Sequence, residues 1–226
     1  WVGTWGCGLL RLAEDFCTSS GYVKYDTATP DGETLLDEVI YAINDVDGYI
    51  LVGGQKGFSI IDRESEDTRF FAPGTSEYSL PYNQVNSIIV TANGNVYLGL
   101  YGGGMCSVAD KVIPYAVDPL SEIRRRFGTN TVHGIFASDS SWIWMGIPDN
   151  GFVLYDPVSQ MVVRHNEIPA FRNLLSISSA FAIKERSCTG EICIGTYSEG
   201  LWIYDAAAGK VRTITTEICP AMRNHN

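Results

Sequence analysis

The sequence predicts an all-β fold, a β-propeller built from four-stranded antiparallel blades. Three observations carry this prediction: a glycine-bearing segment that recurs about every 48 residues, four short strand-like runs in each repeat, and tight-turn residues between these runs. Helical patterns are nearly absent. A blade of four strands repeated about an axis is the architecture that accounts for all three observations together.

The recurring segment is clearest near the two ends of the chain. WVGTWGCGLL opens the sequence and CIGTYSEGLW returns at 193–202, while three further copies read LVGGQKGFSI, YLGLYGGGMC and WMGIPDNGFV. The first glycines of the five copies are Gly3, Gly53, Gly99, Gly146 and Gly195, spaced by 50, 46, 47 and 49 residues. A second glycine follows five residues later, except at Gly57, which comes one residue earlier. We therefore expect about five repeats of one structural unit.

Each repeat contains four runs rich in β-branched and aromatic residues. In the third repeat these runs are VNSIIVTA (85–92), NVYLGLY (95–101), MCSVAD (105–110) and KVIPYAV (111–117). The first two strands of successive blades are joined through Asp47-Gly48, Asn93-Gly94 and Thr189-Gly190, pairs that favour two-residue hairpins. The third strand is expected to end on an aspartate that closes the next turn, as Asp62, Asp110, Asp156 and Asp205.

The strand count predicts a single propeller domain over 1–226. It comprises a partial first blade at 1–35, blades at 36–80, 81–127 and 128–173, and a last blade with its tail at 174–226. The chain starts inside a blade, at Trp1, without a methionine, and the short polar tail is poorly suited to supply the missing strand. We expect a segment of a larger propeller. One helix is predicted, DPLSEIRRRFG at 118–128, with Asp118 as its N-cap.

Composition restricts the classes of function. The net charge is −10 with no extended basic face, which argues against nucleic acid and anionic membrane surfaces as partners. No apolar run approaches the roughly 20 residues of a spanning helix, so we expect no direct membrane insertion by this segment. No cofactor and no metal site are expected, since no two of the six cysteines have C-x-x-C spacing.

The cysteines leave their pairing open. Cys188 and Cys193 flank the Thr189-Gly190 turn and could face each other across a hairpin. Cys193 also occupies the position that holds Leu51 and Trp144 in other copies, so a thiol that fills the core is the favoured interpretation.

The pattern of WVGTWGCGLLRL and CIGTYSEGLWIYD resembles the two-component regulator propeller repeat. The middle copies depart from it, with Gly54, Leu100 and Ile147 where threonine is expected. The resemblance implies a sensor propeller of a hybrid two-component system of the Bacteroidetes type, located in the periplasm and answering to oligosaccharides. It also implies that the histidine kinase and other signalling domains lie outside this chain.

Candidate binding residues follow from the predicted loops between second and third strands. Residues two past each first glycine are expected at one mouth of the propeller: Trp5, Gln55, Tyr101, Pro148 and Tyr197. The three aromatic residues Trp5, Tyr101 and Tyr197 suit the apolar faces of sugar rings, although such rings also cover seams between blades. Arg124 and Arg125, with Arg126, could bind carboxylates of uronic acids, or could simply complement the dipole of the predicted helix.

Catalytic candidates are few. Asp149 and Glu199 lie in predicted mouth loops, but nothing nearby favours a raised pKa, and a glycosidase needs a carboxyl pair in different environments. His133 is interpreted as a packed inner residue and His165 as part of a solvated connection. We therefore expect a non-enzymatic module.

The favoured hypothesis is a ligand-binding sensor that recognises an oligosaccharide and passes the signal to a kinase outside the chain. Its expected partners are the oligosaccharide, the rest of the parent receptor and a second copy in a homodimer. The alternatives are a protein-interaction or dimerisation scaffold and a polysaccharide-degrading propeller.

Overall fold

A computed structural model of the chain describes residues 1–13, 21–27, 35–74, 79–109, 113–115, 131–137, 142–172, 179–215 and 217–218. The chain forms two compact units, Trp1–Asp118 and Pro119–Asn226. Among the described residues, regular structure is β-strand apart from two short 3₁₀ helices. None of the helices found there is long and apolar enough to cross a membrane.

The first unit holds three antiparallel sheets. Its strands are β1 (Val2–Gly3), β2 (Leu9–Leu12), β3 (Tyr22–Tyr25), β4 (Ile40–Val46), β5 (Tyr49–Gly54), β6 (Phe58–Asp62), β7 (Thr68–Phe71), β8 (Val85–Val90), β9 (Val96–Leu100), β10 (Gly104–Ala109) and β11 (Ile113–Tyr115). The sheet orders are β1-β2-β3, β4-β5-β6-β7 and β8-β9-β10-β11. The first sheet has three described strands. We call these sheets blades 1, 2 and 3.

The second unit holds two four-stranded meanders, blades 4 and 5. Its strands are β12 (Ile135–Ala137), β13 (Ile143–Gly146), β14 (Phe152–Asp156), β15 (Met161–Arg164), β16 (Ala180–Arg186), β17 (Glu191–Thr196), β18 (Leu201–Asp205) and β19 (Lys210–Ile214). The 3₁₀ helices His165–Glu167 and Pro169–Phe171 lie between β15 and β16. The predicted helix at 118–128 lies outside the described residues.

The first glycine of the repeat lies where the next blade approaches most closely. A Cβ atom on Gly53 would come within 2.7 Å of the Val85 side chain, and one on Gly146 within 2.1 Å of the Ala180 carbonyl oxygen. Real Cβ atoms do not approach backbone oxygen so closely. The recurrent glycine thus lets the second strand of one blade contact the first strand of the next.

The second glycine of the repeat has a different role. Gly200 has φ of +84°, and a Cβ there would lie 2.3 Å from the Ile214 carbonyl oxygen at the end of its own fourth strand. Gly8 is similar, with φ of +72° and a distance of 2.2 Å to the Tyr25 carbonyl oxygen. The conformation and the close approach both require glycine.

Apolar side chains fill the seams between neighbouring blades. In the first unit, Phe58 and Ile60 of blade 2 pack with Leu98 and Val108 of blade 3. In the second unit, Phe171 from the interblade connection is fully buried and lies among aromatic rings of both blades, 5.1 Å from the Phe152 ring and 5.0 Å from the Tyr204 ring. Such pairs add about 0.5–1.5 kcal/mol each beyond the area they bury.

The predicted turns are confirmed in position but only partly in type. Val46 pairs with Tyr49, so Asp47-Gly48 is a two-residue hairpin loop with φ of 47° and 86°. The hairpin at Gly94 is longer, because the Thr91 amide donates to the Asn95 carbonyl. The loop containing Gly190 spans four residues between the paired Arg186 and Glu191. Asn93-Gly94 and Thr189-Gly190 were therefore wrongly predicted as two-residue turns: both loops are longer, and in each pair only the glycine has positive φ.

Three of the predicted turn-closing aspartates are confirmed. The Asp62 carboxylate accepts hydrogen bonds from the Ser65 and Glu64 amides, and these bonds lower its pKa. Asp156 accepts from the Ser159 hydroxyl and the Val158 amide, with the same effect on its pKa. Asp205 accepts from the Ala208 amide. Asp110 lies outside the described residues.

The described cysteines are free thiols: Cys7, Cys106, Cys188 and Cys193. Cys188 is exposed and Cys193 is half-buried, opposite Lys184 on β16. The possible bridge across this hairpin is therefore not formed. Cys193 packs only partly, whereas Cys106 is buried, and burial raises the pKa of its thiol to about 12.

We expect Gly146→Ala to lower the free energy of unfolding by about 1–3 kcal/mol or more, because the added methyl group overpacks the seam. Gly195→Ala is the matched control, since its Cβ would meet nothing closer than 3.7 Å. Urea denaturation measures both values. Equal losses in the two variants would contradict the assigned role of the first glycine.

The lowered pKa values of Asp62 and Asp156 predict acid sensitivity. Their stabilising contribution is complete above the unfolded-state pKa of about 4 and is lost as the pH falls through the lower folded-state values. We expect the variant Asp62→Asn, Asp156→Asn to show a smaller fall in Tm below pH 4 than the wild type. Asp67→Asn, in the same turn as Asp62, controls for net charge and should leave the wild-type acid dependence unchanged.

Candidate functional site

Each complete blade carries an irregularity near the beginning of its first strand. Pairing between first and second strands skips one residue between Ile40 and Ala42, between Val85 and Ser87, and between Ala180 and Ala182. Blade 4 repeats the feature, because the His133 amide donates to the Gly146 carbonyl and the Gly146 amide donates to the Gly134 carbonyl. The skipped residues are Tyr41, Asn86, His133 and Phe181. Such bulges re-aim a side chain away from the regular pleat.

In the second unit, two of these residues and a loop residue form an aromatic stack. The His133 and Phe181 rings lie 4.2 Å apart with an interplanar angle of 22°. The Tyr197 ring lies 5.8 Å from Phe181 on the loop between β17 and β18. Phe181 and Tyr197 are 44% and 78% exposed, so the stack presents apolar ring surface to solvent. We call His133, Phe181 and Tyr197 the aromatic stack.

The backbone holds the stack in place at two points. A Cβ on Gly134 would come within 2.5 Å of the Phe181 carbonyl oxygen, so glycine next to His133 allows blade 5 to approach. Ser179 is almost fully buried; its carbonyl accepts from the Tyr197 amide, and its hydroxyl accepts from the Asp149 amide. One serine thus anchors the loops of blades 4 and 5 that flank the stack.

Two acidic residues lie in the loops that flank the stack. Burial of the His133 ring lowers its pKa. The negative charge of the exposed Asp149 raises the same pKa and so offsets part of this effect. The histidine is consequently a mainly neutral ring at pH 7. Glu199 lies in the Tyr197 loop and accepts from the Ser198 hydroxyl. The two predicted loop carboxylates therefore lie in loops beside the stack.

The first unit contains a related pair. The Trp5 ring is 77% exposed and packs edge-on against Tyr41 of blade 2 at 5.5 Å, while Trp5 also forms a backbone bridge with Val39. Asp37 is only 6% exposed, and its Oδ1 accepts from the Glu38 and Val39 amides. Among the described residues, its Oδ2 has no hydrogen-bond partner. Burial and the Asp37 charge raise the pKa of Tyr41.

The other predicted loop residues lie at equivalent positions. Tyr101 is 48% exposed, and its amide donates to the Gln84 carbonyl. The Gln55 amide donates to the Val39 carbonyl in the same way. Pro148 is half-buried and its carbonyl accepts from the Asn150 side chain. Arg124, Arg125 and Arg126 lie outside the described residues, so their proposed role stays a prediction.

His165 was wrongly interpreted as solvated. Its Nδ1 lies 3.3 Å from the Phe152 carbonyl oxygen and its ring packs 5.4 Å from the Phe152 ring. Burial lowers its pKa. The interpretation failed because the 3₁₀ turn at 165–167 folds the connection back onto blade 4.

The threonine of the G-T-x-x-x-G segment closes the loop that carries the exposed aromatic residue. The Thr196 hydroxyl donates to the Gly200 carbonyl at 2.7 Å and accepts from the Glu199 amide at 3.0 Å. Thr4 makes the same two bonds, to the Gly8 carbonyl and from the Cys7 amide. Trp5 and Tyr197 therefore project from the same closed loop.

Sequence reasoning missed Tyr41 and Phe181, although a signal was available. In each complete blade, the bulge residue lies 12 to 14 residues before the first glycine, between two small or aliphatic side chains, as in Ala180-Phe181-Ala182. Strict alternation would have assigned these residues to a strand face. Among the described residues, no group of three or more potential metal ligands is found.

Several solved structures are similar to this chain. The extracellular domain of the putative hybrid two-component system BT3049 from B. thetaiotaomicron matches with a TM-score of 0.71 and 20% identity, over 95% of this chain and 26% of that one. The corresponding domain of BT4673 from the same organism matches with a TM-score of 0.63 and 16% identity, over 88% and 23%. This chain shares the fold of the matching part of these extracellular domains. The predicted resemblance is thus confirmed at the level of the fold.

A third similar structure is PorZ, a surface component of the type-IX secretion system of Porphyromonas gingivalis. It has a TM-score of 0.63 and 17% identity, over 96% of this chain and 32% of that one. This chain therefore spans about a quarter to a third of the length of these three proteins. No protein-family profile and no curated protein matches the sequence.

We expect Thr196→Val to destabilise blade 5 by roughly 0.5–1.5 kcal/mol, because two hydrogen bonds are lost while the side-chain shape is kept. Thr196→Ser, which keeps the hydroxyl, should cost less. Urea unfolding of both variants measures the difference. A larger loss in the serine variant would show that the methyl group, and not the loop closure, is the stabilising feature.

Proposed function

We propose that this chain is a ligand-binding sensor module of a hybrid two-component signalling protein and that its ligand is an oligosaccharide. The observation that carries the proposal is the exposed aromatic stack. Aromatic residues that only cover seams are buried here: Phe152 and Phe171 are 0% exposed and Trp202 is 4% exposed. Tyr197 is 78% exposed, so seam packing does not account for its ring.

The stack matches the surface of a sugar ring. Pyranose rings present C–H patches that pack on aromatic faces, and their hydroxyl groups need polar partners at the edge of the contact. Asp149 and Glu199 provide carboxylate acceptors, and Ser198 provides a hydroxyl, all on the loops that flank the stack.

The charges favour a neutral oligosaccharide. The two carboxylates near the stack would repel uronic acid groups, and the chain as a whole carries a net charge of −10. An acidic glycan would depend on Arg124 and Arg125. We propose neutral sugars as the ligand class of the aromatic stack.

The Trp5 and Tyr41 pair supports a second contact of the same chemistry. Trp5 offers an exposed ring that packs edge-on against Tyr41, so an apolar ring face is accessible to a sugar here as well.

Signalling would then occur by binding without chemistry. A ligand shifts the receptor between two states only if it binds them with different affinity. The rest of the parent receptor and a second copy of the chain are the proposed partners that respond. The similar structures are extracellular domains of two-component systems, which supports a periplasmic or extracellular location.

We expect Tyr197→Ala and Phe181→Ala each to weaken oligosaccharide binding about tenfold or more, which corresponds to ~1.4 kcal/mol. Thermal-shift screening against neutral and acidic oligosaccharides identifies the ligand, because a ligand of the folded state raises Tm. Calorimetry with the best ligand then measures each variant.

The matched control is Val158→Ala, which removes an exposed apolar side chain from the turn after β14 (87% exposed) and should not change affinity. If an oligosaccharide binds with unchanged affinity in both aromatic variants, the stack is not the site. If no sugar raises Tm while the wild type melts cooperatively, the sensor proposal fails for this chain.

A further inference from the structure

A cavity of about 240 Å³ lies in the first unit, in the seam between blades 2 and 3. Its walls are formed mainly by apolar side chains, together with one tyrosine: Leu51, Phe58, Ile60, Val96, Val108 and Tyr49. It opens at the hairpin turns that join the first and second strands of the two blades, where Asp47, Asn93, Gly94 and Asn95 are exposed. We call this space the seam cavity.

The seam cavity lies far from the aromatic positions described above. Tyr41 lies near the beginning of β4, and Asp47 follows the end of that strand, six residues later. At about 3.3 Å per residue, the two ends are separated by roughly 20 Å. A ligand in the seam cavity would therefore be distinct from an oligosaccharide on Trp5 and Tyr41.

The seam between blades 4 and 5 shows how the same space is filled elsewhere. Leu51 pairs with Ile60 in blade 2, as Trp144 pairs with Leu154 in blade 4. Val96 pairs with Val108 in blade 3, as Ile192 pairs with Tyr204 in blade 5. The register thus makes Leu51 the counterpart of Trp144 and Val108 the counterpart of Tyr204.

Of the side chains that line the cavity, these two differ most in size from their counterparts, and elsewhere in the same cluster Cys106 takes the place of Trp202. Phe58, Ile60 and Val96 correspond to Phe152, Leu154 and Ile192, so those walls keep side chains of similar size. Trp144 and Tyr204 place their rings 6.1 Å apart in the second unit. Leucine and valine at the counterpart positions leave out an indole and a phenol ring. Both of these smaller side chains line the seam cavity.

The mouth of the cavity adds polar chemistry to this shape. The exposed Asp47 carboxylate accepts hydrogen bonds, and the Asn93 and Asn95 side chains carry amide groups. A ring with one N–H or O–H donor would place its apolar body in the seam and its donor at the turns. A ring that carries a carboxylate would be repelled by the negative charge of Asp47.

We propose that the seam cavity binds a small neutral aromatic molecule with a single hydrogen-bond donor, of the indole or phenol class. Apolar cavities of about 150 Å³ in other proteins take up benzene, so a larger cavity with apolar walls has the capacity for such a ring. The side chains that fill the counterpart seam are themselves an indole and a phenol.

The test is calorimetric titration of the chain with indole and with p-cresol. We expect saturable binding with a stoichiometry of one, and a rise in Tm at saturating ligand. Leu51→Trp and Val108→Tyr supply the missing rings from opposite walls, and each should reduce the affinity about tenfold or more. If one of them fails to fold, the other still tests the site.

Matched controls make the same substitutions at exposed positions of blade 1. Leu12→Trp and Val23→Tyr add the same rings outside the cavity and should leave indole binding unchanged, since Leu12 and Val23 are 37% and 43% exposed. Indole-3-acetate should bind more weakly than indole to the wild type, and Asp47→Asn should reduce that difference.

The proposal is overturned if neither indole nor p-cresol binds saturably to the folded wild type, or if both filling variants bind them as tightly as the exposed controls do. Equal affinities for indole and indole-3-acetate would overturn the role of Asp47 at the mouth. Loss of binding in the filling variants alone supports the site. None of these results depends on oligosaccharide binding, so the sensor proposal stands or fails separately.

Discussion

Within each unit, the close approach of one blade to the next is the constraint on which the other features depend. The second strand of one blade contacts the first strand of its neighbour at a residue that has no side chain, as at Gly53 against Val85 and Gly146 against Ala180. A larger residue at this position would force the two strands apart, because its Cβ atom would overlap atoms of the neighbouring blade. Because interiors are close-packed, that separation would open the whole seam and not only one contact.

This approach also explains why the candidate site lies where it does. First strands bulge beside the glycine contact, and the bulge turns Tyr41, His133 and Phe181 out of the regular pleat. The loop after the same glycine carries Trp5 or Tyr197. Packing and exposed aromatic surface are thus two results of one local geometry. The side chains that the bulge and the loop leave exposed can contact a ligand.

The two ends of the seam carry different chemistry. The end with the bulges presents exposed rings, acidic groups and hydroxyls, which suit a hydroxyl-rich ligand. The end with the hairpin turns depends on the volume of side chains such as Leu51 and Trp144, which differ between seams of the same register. A repeat fold can therefore keep its backbone constant and change its cavities by substituting one side chain per strand.

The sequence by itself determined the repeat, the four-strand blade and the turn-closing role of Asp62, Asp156 and Asp205. These features follow from local patterns, because strand alternation, glycine spacing and short side chain-to-backbone hydrogen bonds act within a few residues. It also indicated Trp5 and Tyr197, through their fixed distance from the first glycine.

Only the tertiary structure decided which residues meet. Phe181 joins His133 and Tyr197 because blades 4 and 5 are in contact and β16 bulges. His165 is half-buried because its connection turns back onto Phe152. The seam cavity is lined by Leu51 and Val108, on different blades, at positions that hold Trp144 and Tyr204 in the other seam. Each of these results depends on side chains that are distant in sequence, and no local pattern determines the volume left between them.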